Sequence, residues 1–309
     1  MAQLTKSKLI ELLHAAARDE HAAIIQYLRH AYMMGESELA CEIEGIARDE
    51  MRHFWMLSRW IVKLGGDPTI ERGFTDLAGA DPPEWLQRDV AAEDRAIAMY
   101  RDIIAQLNDP DLKADLEHIL GDEERHHREF NAFVAEAQAE LAAAPEADPE
   151  ALAAPEPPLA PVDKEALDWG VRHEYTAILQ YLTHSFVIQD EEVSRQLEMQ
   201  AINEMQHMGW FGEELNERGI EMPLDHHPVA RPASAAAMLS ADIQLERDTT
   251  QAYTDYLGRM SDPELQEVVD EARGQELYHE SLFNRLLARL QRASSAGWTL
   301  GSLINKEKK

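Results

Sequence analysis

Ile46-Ala47-Arg48-Asp49-Glu50-Met51-Arg52-His53 places a carboxylate and an imidazole three residues apart. On a helix that spacing stacks the two side chains on one face, which is metal-ligand spacing. Glu20 stands thirty residues before Glu50 and Tyr27 seven past Glu20, so the frame reads Glu-x6-Tyr-x22-Glu-x2-His. It returns as Glu93/Tyr100/Glu123/His126, Glu174/Tyr181/Glu204/His207 and Glu246/Tyr253/Glu276/His279. One such pair in an acidic helical chain is ordinarily a solvated ion pair. Four in one register, set among apolar residues, need a partner there. The competing explanation is gene duplication that carried surface Glu and His along with it.

The copies are themselves periodic: His53 and His207 are 154 residues apart, His126 and His279 153. The 309 residues therefore read as two versions of one unit, each holding two versions of a helix pair. Residues 6–34 follow helical spacing without Gly or Pro until Gly35, and a second helix runs from Glu38 to Leu64, ending at Gly65-Gly66-Asp67-Pro68. The break lies midway between Glu20 and Glu50. Each glutamate is then about 15 residues, or roughly 22 Å, from the turn, and an antiparallel hairpin sets both at one height. The other midpoints fall at Asn108-Asp109-Pro110, Gln189-Asp190 and Ser261-Asp262-Pro263, all turn-forming or polar. Longer connections at 65–84 and 219–233 suit the crossover of a four-helix bundle whose second and third helices run the same way. An Ala/Glu/Pro-rich stretch around 137–161 reads as a semi-rigid linker. The expected architecture is all-α: a bundle over 1–140, a linker over 141–162, a second bundle over 163–292 and a tail over 293–309.

A net charge of -29 argues against nucleic acid as a partner and suits a protein that gathers cations, with simple solubility an equal explanation. The single cysteine, Cys41, permits no intrachain disulfide and no cysteine cluster for iron-sulfur or rubredoxin-type iron; it reads as a small buried apolar residue. No apolar run approaches the roughly 20 residues that span a bilayer, so the sequence predicts a soluble, cytoplasmic protein with no membrane partner.

Two facing hairpins would bring two lone glutamates and two Glu-x2-His pairs to the middle of one bundle. Four carboxylates and two imidazoles are the ligand set of a dinuclear carboxylate site. Buried together without counter-ions, the carboxylates would cost more than the stability of the fold, so two cations must neutralise them. A mixed oxygen and nitrogen set suits iron or manganese better than Mg²⁺ or Ca²⁺, and the lack of thiolates disfavours soft metals. The expectation is two di-iron centres per chain, with manganese as the alternative metal. Any two hairpins supply a full set, so the sequence leaves open whether a site closes within a chain or between the chains of a homo-oligomer.

Glu20-His21-Ala22-Ala23-Ile24-Ile25-Gln26-Tyr27 and Ile119-Leu120-Gly121-Asp122-Glu123-Glu124-Arg125-His126 resemble the first and fourth helices of bacterioferritin. The resemblance implies a ferritin-like di-iron fold in each half. It also implies roles: Glu20, Glu93, Glu174 and Glu246 as terminal ligands, Glu50, Glu123, Glu204 and Glu276 as bridging ligands, and His53, His126, His207 and His279 each capping one iron. Tyr27, Tyr100, Tyr181 and Tyr253 are candidates to donate hydrogen bonds to opposing carboxylates or to supply an electron. Glu124 has no counterpart at Met51, Met205 or Leu277 and reads as structural. His21, His30, His173 and His184 read as surface histidines or as lining a path into the site, and His226-His227 as solvated.

After the spacer Ser294-Ser295-Ala296-Gly297 comes Trp298-Thr299-Leu300-Gly301-Ser302-Leu303-Ile304. Thr299 to Leu303 resembles the short peptides that dock cargo proteins to the inner wall of encapsulin shells, and the same compartments contain an encapsulated ferritin with this frame on a single hairpin. An extended segment with alternating apolar anchors suits a groove, and many tethered copies bind by avidity. The leading expectation is a ferroxidase that oxidises Fe²⁺ with O₂ or peroxide inside an encapsulin compartment in the cytoplasm. Its rivals are a rubrerythrin-like peroxide reductase or manganese catalase, distinguished by peroxide turnover without net iron oxidation, and a non-enzymatic cargo or scaffold held by structural metal.

Overall fold

The computed structural model describes residues 4–35, 37–143 and 159–295. Among them are eight helices and no strand: α1 (Lys6–Met33), α2 (Glu38–Lys63), α3 (Pro82–Ile104), α4 (Pro110–Ala143), α5 (Pro161–Val187), α6 (Glu191–Glu217), α7 (Ala235–Leu257) and α8 (Pro263–Ser295). Most of the linker expected at 141–162 and nearly all of the tail from 293, with its candidate docking peptide, lie outside the described residues. Two compact units result. The first is Met1–Leu159 with Gly209–Leu224, and the second is Ala160–Met208 with Asp225–Lys309. No described helix is long and apolar enough to cross a membrane.

Local chemistry starts and stops these helices. Thr5, Ser37, Asp81 and Ser234 each accept a hydrogen bond from the backbone N–H three residues on, at 3.2, 3.1, 3.0 and 3.3 Å, which satisfies one orphan donor of the first turn. Asp109, Asp190 and Asp262 do the same for Leu112, Val193 and Leu265 in the hairpin turns. α2 is followed by a left-handed residue, Gly65 at φ +74, a conformation that favours glycine, and Gly65 and Gly66 return hydrogen bonds to Val62 and Ile61 at 2.8 and 2.9 Å.

In the first unit α1 pairs with α2 and α3 with α4, and α1 packs on α3 and α2 on α4 across the hairpins. Leu13, Ile43, Leu57, Leu86, Leu116, Ile119 and Phe130 are fully buried between them, each contributing about 1.5–3 kcal/mol by leaving water. In the second unit α7 pairs with α8 and packs on α5. The connection between α2 and α3 lies against α1. Gly73 donates to the carbonyl of Arg18 at 2.9 Å, and a Cβ there would stand 2.8 Å from that oxygen, so only glycine fits.

A buried polar strap holds each crossover, and it repeats. Gln26 accepts from the backbone N–H of Asp76 at 2.8 Å and donates to Asp89 at 2.8 Å, while Nδ1 of His30 lies 2.9 Å from the same carboxylate. In the second unit Gln180 accepts from Ala230 at 3.1 Å and donates to Asp242 at 3.0 Å, with His184 Nδ1 2.8 Å away. This corrects the reading of His30 and His184 as surface or access-path residues: both are fully buried, because the aspartate of α3 or α7 supplies their acceptor. His21 and His173 are buried as well. Cys41, expected inside, is exposed on α2.

Asp89→Ala strands a buried amide and a buried imidazole nitrogen, and should destabilise the first unit by about 2–4 kcal/mol. Asp94→Asn, at a side chain 69% exposed, should change stability by no more than about 0.5 kcal/mol. Calorimetric unfolding of the two variants checks this; equal transitions would remove the strap from the account.

Candidate metal centres

The turn spacing brings the six frame residues of each half to one height, and all twelve side chains are at most 3% exposed. In the first half Glu20, Glu50, His53 and Glu123 offer ligand atoms within 4.8 Å of one another, and so do Glu50, Glu93, Glu123 and His126. In the second the sets are Glu174, Glu204, His207 and Glu276, and Glu204, Glu246, Glu276 and His279. Glu50 and Glu123, like Glu204 and Glu276, belong to both sets of their half. Each half therefore closes its own pair of adjoining sites from its own four helices.

The contacts follow the same division. His53 Nδ1 lies 2.7 Å from Glu50, 3.0 Å from Glu123 and 3.6 Å from Glu20. His126 Nδ1 lies 2.8 Å from the other oxygen of Glu50 and 4.0 Å from Glu93. His207 Nδ1 stands 2.7 Å from Glu204 and 3.0 Å from Glu276; His279 Nδ1 stands 2.8 Å from Glu204 and 3.3 Å from Glu276. Buried oxygens of Glu50, Glu93, Glu123, Glu204 and Glu276, and Nδ1 of His126 and His279, make no well-aligned hydrogen bond. Convergent carboxylate oxygens and imidazole nitrogens of this type fit a pair of divalent ions.

The tyrosines cross between hairpins. Tyr27 donates to Glu93 at 2.7 Å, and Tyr100, Tyr181 and Tyr253 donate to Glu20, Glu246 and Glu174. Burial, then the neighbouring carboxylate, raises the pKa of each phenol well above its ordinary value, so each keeps its proton and stays a donor. Glu124 is not part of the centre: it pairs with Arg101 at 2.6 Å on the surface. His226 and His227 are exposed. Sequence reasoning missed the residues behind the imidazoles, Asp122 at 3.4 Å from His53 Nε2 and Asp49 at 3.4 Å from His126 Nε2. The signal was present, since each aspartate immediately precedes a frame glutamate.

Without metal, this crowd of charge holds protons. Burial, then the charges of Glu123 and Glu50, raises Glu20 and Glu93 well above the carboxylate range. Glu174 and Glu246 are raised by burial and then by Glu276 and Glu204. Burial is the largest influence on the imidazoles and lowers them, but Glu50 or Glu204 together with the other carboxylates around each ring outweighs it, raising His53 and His207 and pushing His126 and His279 up to about 10. Burial alone would raise Glu50, yet His126 and His53 hold it below its usual range.

A cleft reaches the first centre, lined by Asp19, Phe74, Arg95 and Ala96 together with Glu20 and Glu123. At the register-equivalent place in the second half His173 hydrogen-bonds Thr249 and stacks on Trp169 at 4.4 Å. Burial pushes the His173 imidazole down to about 4.

The ferritin-like domain family matches residues 10–139 and again 164–293. A bacterioferritin from Desulfovibrio desulfuricans is 36% identical over 98 residues, 31% of this chain and 55% of that protein, so the chain spans little more than half of that relative. A bacterioferritin from Rhodobacter capsulatus is 32% identical over 126 residues, 39% of this chain and 78% of that protein. Among solved structures, a manganese catalase from Anabaena aligns at 17% identity over 48% of this chain and 81% of its own, with a TM-score of 0.39, too loose a match to bear on chemistry.

The raised values set the pH behaviour of the metal-free protein. A folded state that binds these protons more tightly than the unfolded chain is stabilised in full below the unfolded values, and loses that contribution as pH rises through the folded ones. For His126 and His279 that window runs from 6.5 to about 10. The melting temperature of metal-free protein should fall across it, and a divalent ion should abolish the fall. Metal loading near pH 7 should also release protons, measured by calorimetry in buffers of different ionisation enthalpy. A melting temperature that rises with pH, or loading without proton release, would contradict this.

Proposed function

The chain belongs to the ferritin-like family, and from that premise we propose that each half is a di-iron ferroxidase centre that oxidises Fe²⁺ to Fe³⁺ with O₂ or peroxide. The observation that carries the reading is the pair of adjoining ligand sets sharing two glutamates. Two cations held by these sets would stand side by side, as a two-electron oxidant requires of one-electron donors. Glu20 and His53 would hold one ion and Glu93 and His126 the other, with Glu50 and Glu123 between them; Glu174, His207, Glu246, His279, Glu204 and Glu276 would do the same in the second half. Bound there, the metal pair supplies the electrons.

The chain's own residues do the rest. Four carboxylates offset the charge of two divalent ions and favour the more highly charged product. Tyr27, Tyr100, Tyr181 and Tyr253 each fix one oxygen of a terminal glutamate, leaving the other aimed at the metal. In the cleft Asp19 and Glu20 offer carboxylate oxygens to an arriving cation, and Glu20 gives up its proton as the ion binds. The acidic surface acts in the same sense.

Anaerobic loading with Fe²⁺ followed by air should oxidise about two irons per half, as a dinuclear site demands. Replacing both Glu50 and Glu204 by Ala should abolish the fast phase, and Tyr27→Phe with Tyr100→Phe should slow the first half by about 10–100-fold. Peroxide consumption without iron oxidation would point to a peroxidase instead.

We further propose that Trp298 to Ile304 docks the protein inside an encapsulin shell in the cytoplasm; its apolar residues Trp298, Leu300, Leu303 and Ile304, a few positions beyond the end of α8, support this. Removing residues 297–309 should prevent co-purification with a co-expressed encapsulin shell while leaving iron oxidation by the free protein intact. Unchanged loading of the shell by the truncated chain would end the proposal.

A further inference from the structure

The two halves share one ligand set but differ in what stands behind the imidazoles. In the first, each outer nitrogen faces a carboxylate: Asp122 beside His53 and Asp49 beside His126, both at 3.4 Å. Arg125 spans the two aspartates at 3.0 and 2.7 Å and also lies 3.0 Å from His126 Nε2, while Arg52 joins Asp49 at 2.5 Å. In the second half the register-equivalents of Asp49 and Asp122 are Asn203 and Gln275, and those of Arg52 and Arg125 are Gln206 and Tyr278. A neutral amide stands beside His207 Nε2, Gln275 Oε1 at 3.0 Å.

A carboxylate behind a metal-bound imidazole fixes its tautomer and makes it a stronger donor; a neutral amide fixes the tautomer with less electron donation. The approaches differ in the same direction. The cleft onto Glu20 and Glu123 is lined by Asp19 and Ala96, whereas their equivalents His173 and Thr249 bond to each other.

We propose that the two centres are unequal, the first half taking up divalent metal ahead of the second and binding it more tightly. This rests on the metal reading above. Asp122 and Asp49 are then positioning residues, acting on the metal through His53 and His126, and His173 with Thr249 restricts access to the second centre.

The test uses the full chain and Co²⁺, which reports binding by its visible spectrum without needing oxidation. Anaerobic titration of the intact protein should show two phases of equal capacity. The variant Glu204→Ala with Glu276→Ala, which keeps the first centre, should bind Co²⁺ about 10–100-fold more tightly than Glu50→Ala with Glu123→Ala, which keeps the second. Asp49→Asn with Asp122→Gln should remove the difference between the phases. In stopped-flow mixing, His173→Asp with Thr249→Ala should speed the slower phase while leaving the amplitudes unchanged. Equal affinities in the two single-centre variants, together with a single phase in the intact chain, would overturn the inequality and leave the metal reading standing. No Co²⁺ binding by the intact chain would overturn both.

Discussion

Four buried glutamates whose oxygens crowd within a few ångströms form the interaction on which each half depends. Like charges at that distance in a poorly polarisable medium repel by far more than a domain's net stability. The protein meets this in two ways. Without metal, Glu20 and Glu93 hold protons and the histidines become cations beside Glu50. Two divalent ions bound there would replace those protons, which would make metal binding, proton release and stability one linked equilibrium.

The helices around the cluster serve to keep that equilibrium local. Tyrosine hydroxyls reach from one hairpin to the terminal glutamate of the other, so the carboxylates are aimed before any ion arrives. Farther along each bundle, the Gln-His-Asp strap ties α1 to α3 and α5 to α7, and fastens the crossover to the same glutamine. Both devices are buried polar groups with partners, and such groups specify one packing where apolar residues alone would allow several.

The two halves keep these contacts and differ in what lies outside them. The ligands, tyrosines and strap are the same in both halves. The residues that differ, Asp49, Asp122, Asp19 and Ala96 against Asn203, Gln275, His173 and Thr249, stand one layer farther from the ion positions. Residues in that position bear on the donor strength of an imidazole and on access to a site rather than on the ligand set itself.

Much of this was legible in the chain itself. The fourfold frame, the midpoint turns and the Pro/Gly connections determine eight helices in two bundles, because helical period and turn chemistry are local properties, and equal arm lengths dictate which residues meet at one height. The sequence could not say which hairpins pair to complete a centre, since any two carry a full set. Tertiary packing decided that α1 to α4 close one and α5 to α8 the other. It also overturned the readings of His30, His184 and Cys41, whose fate rests on a neighbour far along the chain or on which way a helix face turns. An imidazole is a surface group or a buried one according to whether a distant aspartate waits opposite it, and that partner exists only once the helices have packed.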